Sequence, residues 1–548
     1  MSEPLGPGWS PKKPPPAGDG EPAPKPKRFW WRFTLASILI VAVSAAATAT
    51  SVLLYVDSIA QALGGGNHKF HEKLKNALAD VHSGEPQTIL ILGSDHRANE
   101  AEGEPARSDT TMLVRLNPDK DMISVMSIPR DLQVEIPGFG IDKFNAAYSD
   151  GGPKLTLQVV KELTGLKVNH VVNVDFLGFV RAVDAIGCVY VDIDRRYYHS
   201  NVGLPPAEQY SEINIQPGYQ KLCGKKALEY VRYRHTDTDI VRSARQQDFL
   251  TDARQRVSLN DLLFDQSHLT DIFTEYTQSD ISATDSLLEL LKLAVACRNA
   301  TINKVHFPAE LGPSFVYASE TAIHEAAEDF LGEDGGAPAA SSEASTGSKP
   351  KKASRGKGKH ARKKHRKKPK VKVAKPGDDG LLPARGAGEA EAAAAGRRVG
   401  GGFPIFYPTR LPPGAAFVET NPYEHVVDPR VYRFREDDGN LHVAYKMVAV
   451  IDEPDGLHYF GVQGIRGWSD PPILSDPTVT ETIHGREYEI FVDGGQIKMV
   501  AWHRGENSYW IANDLEQSLT NEQMIGMARS ADVLLPKKKA KKKGRGNP

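Results

Sequence analysis

The sequence predicts an α/β sandwich with a mixed central sheet, carried on an N-terminal transmembrane helix and followed by a separate small α+β C-terminal domain. Three observations lead there. Strand-like and helix-like runs alternate from residue 87 onward, an uncharged stretch of 24 residues precedes them, and strand signals with a closing amphipathic helix return after residue 403. Alternation of this kind is the pattern of helices packed on a sheet. A chain of 548 residues is also too long for one ordinary domain.

Residues 1–32 are rich in Pro, Gly and Lys and read as a disordered cytoplasmic tail. Residues 33–56, FTLASILIVAVSAAATATSVLLYV, hold no charge. As a helix they would span roughly 36 Å, against about 30 Å for a hydrocarbon core. Lys12, Lys13, Lys25, Lys27, Arg28 and Arg32 precede them, and Trp30 and Trp31 sit where an interfacial aromatic belt belongs. The expectation is a single-pass anchor in the cell membrane, with the N-terminus cytoplasmic and the main domains extracytoplasmic. A cleaved signal peptide is the rival, since the Ala-rich part offers cleavage sites. Residues 57–86 read as a membrane-proximal helix or stalk.

The first folded region is expected over 87–332. TILILGSD, TTMLVRLN and MISVMSIP read as strands, LTLQVVKELTG as a helix stopped by Gly165, and HVVNVD, FLGFVRAVDAIG and CVYVDI as strand, helix and strand. Residues 245–332 look mostly helical, with a break around FPAELGPSF. Residues 333–402 lack large apolar side chains and read as a disordered basic linker. Residues 403–535 regain aromatic and strand signals, including a hairpin at Asp493-Gly494 and a final helix with Asn521 as a possible N-cap. Residues 536–548 are a basic tail.

Charge is segregated along the chain. Removing the 15 basic charges of 349–375 and the 7 of 537–545 from the overall −1 leaves about −23 for the remainder. The topology places the basic runs outside the cytoplasm, which argues against nucleic acid. Their candidate partners are anionic headgroups or acidic wall polymers, with a solvated spacer as the plain alternative. The three cysteines, Cys188, Cys223 and Cys297, have no metal-ligand spacing. A Cys188–Cys223 disulfide is compatible with that compartment, and two buried free thiols are the alternative. His425, His442, His458, His484 and His503 are scattered without metal spacing, and Trp468, Trp502 and Trp510 are either sugar-stacking or core residues.

Four stretches of the first region end apolar runs with mixed charge: LGSDHR, ARSDTTM, SIPRDL and YVRYRHTDTDIVRSARQQDFL. In the last, four arginines, one histidine and two aspartates fall within 14 positions. Strand ends are where α/β folds expose ligand-binding groups. Arginine forks bind phosphate oxygens bidentately, and carboxylates with phosphate oxygens hold Mg²⁺. The mixture suits a pyrophosphate cleft. No Walker A motif, dinucleotide loop or nucleophile elbow is present. Arg242, Arg245 and Gln246 would share a helix face, and Asp239 could cap that helix.

These stretches, with KFNAAYSDGG, resemble the LytR-CpsA-Psr family over residues 87 to about 255, in the family's order and spacing. The resemblance implies an LCP-type sandwich whose tunnel holds a polyprenyl chain. It also implies an extracytoplasmic phosphotransferase that joins a glycopolymer, taken from a polyprenyl-pyrophosphate carrier, to peptidoglycan. Carried over by motif, Asp95 and Asp109 would hold Mg²⁺ (or Mn²⁺). Arg107, Arg130, Arg232 and Arg234 would grip the pyrophosphate, with Arg242, Arg245 and Gln246 nearby. Asp239 would take the acceptor's proton, and Arg130 and Arg234 would also act in catalysis. Asp131, Lys143 and Asn145 would surround the site, or Asp131 would be a structural partner of an arginine. The competing functions are a non-catalytic binder of the lipid-linked glycan and a pyrophosphate hydrolase acting on the same donor.

Overall fold

Strand β1 (Gln87–Ser94) shows how the first region is built. Its side chains alternate between two cores, with Leu90 and Leu92 facing one and Ile89 and Ile91 the other. The computed structural model describes residues 70–94, 108–205, 209–234, 237–256, 277–281, 284–332, 379–400, 402–418, 429–453 and 456–535. The expected cytoplasmic tail, the anchor at 33–56, the basic run 349–375 and the basic tail lie outside them. No helix among the described residues is long and apolar enough to cross a membrane.

β2 (Ser108–Asn117) pairs antiparallel with β1 and turns into antiparallel β3 (Met122–Ser127). β4 (Gln133–Ile136) and β5 (Gly140–Lys143) form a hairpin. α1 (Ala146–Thr164) ends, as expected, at Gly165 in the left-handed conformation. It begins earlier than its apolar pattern indicates, because a first turn joins it across a kink at Gly152, φ 63°. β6 (His170–Asp175) lies parallel to β1, and α2 (Phe176–Ala185) follows. β7 (Val189–Ile193) pairs with β10 (Gly218–Leu222), enclosing the pair β8 (Tyr197–His199) and β9 (Ile213–Ile215). Cys188 and Cys223 flank the paired ends of β7 and β10 and form a disulfide, with Cα atoms 4.4 Å apart. α3 (Gly224–Arg232) and α4 (Asp239–Arg256) carry the charged stretch.

β11 (Thr277–Ser279), α5 (Thr284–Ala296), β12 (Thr301–Val305), the short pair β13 (Glu310–Leu311) and β14 (Val316–Tyr317), and α6 (Glu320–Leu331) complete this region. The mixed sheet runs β11-β6-β1-β2-β3-β12. α1 and α6 cover one face, and Leu293 of α5 with Cys297 packs on the other. The mostly helical reading of 245–332 is therefore corrected by two edge strands. TQS and TINKV are short and largely polar, so they carry no alternating apolar signal. The stalk reading of 57–86 is corrected in part: Leu74 is 1% exposed in the core under α1, with Phe70, Ala77 and Leu78 packed against it.

The second region starts before residue 403. β15 (Leu382–Pro383) and α7 (Arg385–Val399) lie within the expected linker, yet Ala392 and Ala395 are buried in its core. Small side chains read as linker composition, but here they let a helix sit close. A Cβ on Gly388 would come within 2.6 Å of the Pro408 carbonyl oxygen. β16 (Ile405–Pro408), β17 (Arg410–Leu411), β18 (Ala416–Phe417) and β19 (Arg430–Arg435) lead into the large antiparallel sheet. Its further strands are β20 (Leu441–Glu453), β21 (Gly456–Arg466), β22 (Val479–Ile483), β23 (Arg486–Asp493), β24 (Gln496–Arg504) and β25 (Asn507–Ala512). α8 (Asn521–Ser530) and β26 (Ala531–Leu534) close the chain's described part. Thr520, not Asn521, caps α8, through a capping box with Gln523. Asn521 instead accepts the Ile497 N–H and donates to the Gly495 carbonyl.

α7 and α8 cover one face of this sheet. The other face packs on the first region: Tyr190 and Tyr219 share a core with Trp468 and Trp510. The C-terminal region expected as a separate domain thus shares a buried face with the first region among the described residues. Trp468, Trp502 and Trp510 are all buried, so none offers a ring face to a sugar.

Candidate active site

Three local structures deliver the charged residues to one place. Asp109 is the second residue of β2, beside the end of β1. β3 runs out through Ile128 and Pro129 to Arg130 and Asp131. The hairpin fixes that backbone: Asn145 N–H donates to the Arg130 carbonyl at 3.0 Å and Phe144 N–H to that of Leu132 at 2.8 Å. α3 ends at Arg232, Arg234 follows, and α4 starts at Asp239. Thr238, rather than Asp239, supplies the cap, its Oγ1 accepting the Val241 N–H at 3.2 Å.

Arg130 is the centre of the cluster. Its Nη1 donates to Asp109 Oδ1 at 2.7 Å, and its Nε lies 3.4 Å from Asp131 and 3.7 Å from Asp239. Arg232 reaches Asp109 at 4.0 Å, and its guanidinium stacks 3.7 Å from the Phe176 ring centre. Arg234 lies 3.9 Å from Asp131 and 4.0 Å from Asp239. Arg242 pairs with Asp239 at 3.1 Å, and Lys143 with Asp131 at 2.9 Å. Among the described residues, five cations thus surround three carboxylates, an excess of two positive charges with all three ionised. Arg232, Arg234 and Lys143 are 40%, 45% and 39% exposed, so the open side of the cluster is cationic and available to an anion.

The two neighbouring aspartates are driven apart. Burial raises the Asp131 pKa, but hydrogen bonds from Lys143 and Asp239 and the Arg130 charge outweigh it and leave the group lowered. Burial raises Asp239 more than Arg242 and Arg130 lower it, and the net shift is upward. Asp131 is therefore the ionised anchor and Asp239 the carboxyl that holds a proton to higher pH. Burial likewise pushes Arg242 down to about 10.

The sequence-derived set divides in three. Arg130, Arg232, Arg234, Asp109 and Asp239 lie in one cluster. Arg242 joins them from beneath, buried against Asp239 rather than open to a ligand. Arg245 and Gln246 are corrected. Arg245 is fully buried, donates to the Tyr230 and Tyr233 carbonyls at 3.1 and 2.9 Å, and pairs with Asp237. Gln246 donates to Thr110 Oγ1 at 3.0 Å and to the Val231 carbonyl at 3.1 Å, tying α4 to β2 and α3. Asp95 and Arg107 lie outside the described residues.

Two residues matter more than the sequence indicated. Asp131 contacts Arg130, Arg234 and Lys143, and its adjacency to Arg130 in SIPRDL was the available signal. Phe176 opens an apolar helical run, and nothing in its sequence neighbourhood marks it as a partner of Arg232.

The family model described as LytR_cpsA_psr family matches residues 54–328, half of the chain. Among curated relatives, the polyisoprenyl-teichoic acid–peptidoglycan teichoic acid transferase TagU of Oceanobacillus iheyensis is 34% identical over 219 residues, covering 38% of this chain and 63% of that protein. TagT of Bacillus subtilis, a transferase of the same description, is 34% identical over 165 residues, covering 30% and 50%. TagU of Enterococcus faecalis is 31% identical over 233 residues, covering 42% and 71%. The chain thus spans less than two thirds of the first two relatives, and the family match ends well before the second folded region.

Proposed function

The chain belongs to the LytR-CpsA-Psr family, and from that premise we propose that it is an extracytoplasmic phosphotransferase. It moves a glycopolymer from a polyprenyl-pyrophosphate carrier to peptidoglycan through a phosphodiester bond. The observation that carries this reading is the cationic cluster around Arg130, whose exposed Arg232, Arg234 and Lys143 suit a pyrophosphate. The relatives' names supply the reaction class, transfer of teichoic acid from a polyisoprenyl carrier to peptidoglycan.

In the reaction, Asp239 takes the proton of the acceptor hydroxyl, whose oxygen bonds to the phosphorus that carries the glycan. The bond from that phosphorus to the bridging oxygen breaks, and polyprenyl phosphate leaves with the electron pair. Arg130, Arg232 and Arg234 stabilise the charge that gathers on the phosphoryl oxygens. The upward shift of Asp239 supports its role as base, because a carboxylate of raised pKa holds an accepted proton better than an ordinary one. Arg242 and Asp131 keep it in place.

A magnesium ion fits the donor set. Asp109 Oδ1 accepts from Arg130 Nη1, while among the described residues its Oδ2 has only Arg232 near it, at 4.0 Å, which leaves room for a hard cation. Magnesium commonly takes one or two protein carboxylates and completes its shell with phosphate oxygens and water. Asp109 and Asp95 would hold it, and it would neutralise charge on the pyrophosphate. The anchor at 33–56 would keep the domain beside its lipid donor.

The test is incubation of the full chain with labelled polyprenyl-pyrophosphoryl glycan, Mg²⁺ and peptidoglycan oligomers. The expected product is a glycan–peptidoglycan conjugate, lost in Arg234→Ala. Free sugar phosphate without conjugate would make the chain a hydrolase, and tight donor binding with no turnover would make it a carrier protein.

A further inference from the structure

The end of β7 faces two ways. Asp192 accepts Lys446 Nζ on both oxygens at 2.9 Å and Trp510 Nε1 at 2.9 Å, both from the second region. Three residues later, the Arg195 guanidinium lies 4.5 Å from the centre of the Tyr459 ring on β21. Arg195 is also ion-paired with Asp237, whose side chain is 1% exposed and pairs in turn with the buried Arg245. Arg245 holds the carbonyls of Tyr230 and Tyr233. Asp237 stands between Arg234 and Asp239 in the chain, so this run of contacts ends in the segment that carries the pyrophosphate-gripping arginines and the base.

We infer that the second region positions that segment through Tyr459 and Arg195, making Tyr459 a positioning residue for the proposed transfer. The inference rests on the reading of the cleft given above. A guanidinium is planar, and an aromatic face beneath it fixes its plane while excluding water from its ion pair. Asp237 shares its charge between two arginines. The Tyr197 ring also covers the Arg195 guanidinium, at 5.1 Å, and Tyr459 lies closer, so removing the Tyr459 ring loosens the carboxylate that both arginines hold. Tyr459 lies beyond residue 328, where the family match ends, so this contact reaches the cleft segment from outside the matched region.

The experiment uses the full chain with Tyr459→Leu, Tyr459→Phe and Asp437→Asn. Asp437 pairs with Arg256 and Lys221 across the same interface but does not touch Arg195. Three readouts are compared: trypsin cleavage of the native protein after Arg232 or Arg234, calorimetric binding of inorganic pyrophosphate, and kcat and KM for glycan transfer. Tyr459→Leu is expected to speed cleavage and weaken pyrophosphate binding by about tenfold, the size of a partly desolvated cation–π contact, with the melting temperature little changed. Tyr459→Phe keeps the ring face and is expected to match the wild type. Tyr459→Met is read in the same way if the leucine variant does not fold. Wild-type cleavage and pyrophosphate affinity in Tyr459→Leu would overturn the inference. So would equal acceleration of cleavage in Asp437→Asn, which would show general loosening of the interface. A wild-type chain that transfers no glycan would remove the transferase reading and leave the cleavage comparison standing.

Discussion

Asp239 and Arg245 sit six residues apart on one helix and do opposite things. Asp239 is poised at the cleft with a raised pKa, burial being the main cause. As a base it acts when ionised, so transfer should rise with pH through a limb lying above the ordinary carboxylate range. Arg242 holds that pKa down, and Arg242→Gln should therefore move the limb to still higher pH, as a pH series of kcat/KM will show. Asp239→Asn should lower kcat by about 10²–10⁴-fold, the usual contribution of a general base. Arg245 works inside the fold. Arg245→Ala leaves the buried Asp237 with Arg195 alone and removes the donor to two backbone carbonyls, and should cost about 3–5 kcal/mol in denaturant unfolding, whereas Arg234→Ala, half-exposed, should leave stability nearly unchanged while transfer is lost. The sequence could show that Arg242, Arg245 and Gln246 share a face. It could not show which part of that face meets solvent, because the distinction is set by Tyr230 on the preceding helix, Tyr233 just past its end and Asp237 in the connecting loop.

At the level of elements, the strongly periodic segments were the readable ones. β1, β2, β3, α1 and α2 follow from alternation or amphipathicity, and Gly165 ends α1 where its left-handed φ requires a glycine. β11 and β12 were not readable, being short edge strands whose pairing is imposed by β6 and β3 rather than by their own side chains. α7 was hidden by composition: alanines that cannot build a core alone can fill the shallow space over an existing sheet. The β7–β10 pair carries a separate prediction. Its disulfide closes a loop of sequence separation 35, and in the chain-entropy model such a link contributes about 3–4 kcal/mol. Cys188→Ser with Cys223→Ser should lower stability by that order, measured by urea unfolding, and reductant should reproduce the effect in the wild type.

The whole molecule is held together by a buried charged seam that the sequence did not disclose, since its members are up to hundreds of residues apart. A cavity of about 50 Å³ between the regions is lined by Asp192, Asp248, Asp252, Lys446 and Lys498, among others. Lys304 bridges Asp248 and Asp493, and Lys498 also reaches Asp248. Burial, only partly offset by Lys498 and Lys304, pushes Asp252 from 3.8 to about 7. In that window the folded chain keeps a proton that the unfolded chain has released. Stability should therefore fall as pH rises from about 4 towards 7 and level off above it, by at most about 1.4 kcal/mol per pH unit for this group. Asp252→Asn should flatten that slope and raise the melting temperature at pH 8, as calorimetry across the range will show.

The placing of the three thiols also bears on biosynthesis. Three cysteines allow three pairings, and in the folded protein Cys297 is wholly buried and cannot exchange with the Cys188–Cys223 bond. In a chain that emerges from its N-terminus, Cys188 and Cys223 both appear before Cys297. The native pair can thus close before the competing thiol exists in the same space, and sequence order itself limits mispairing.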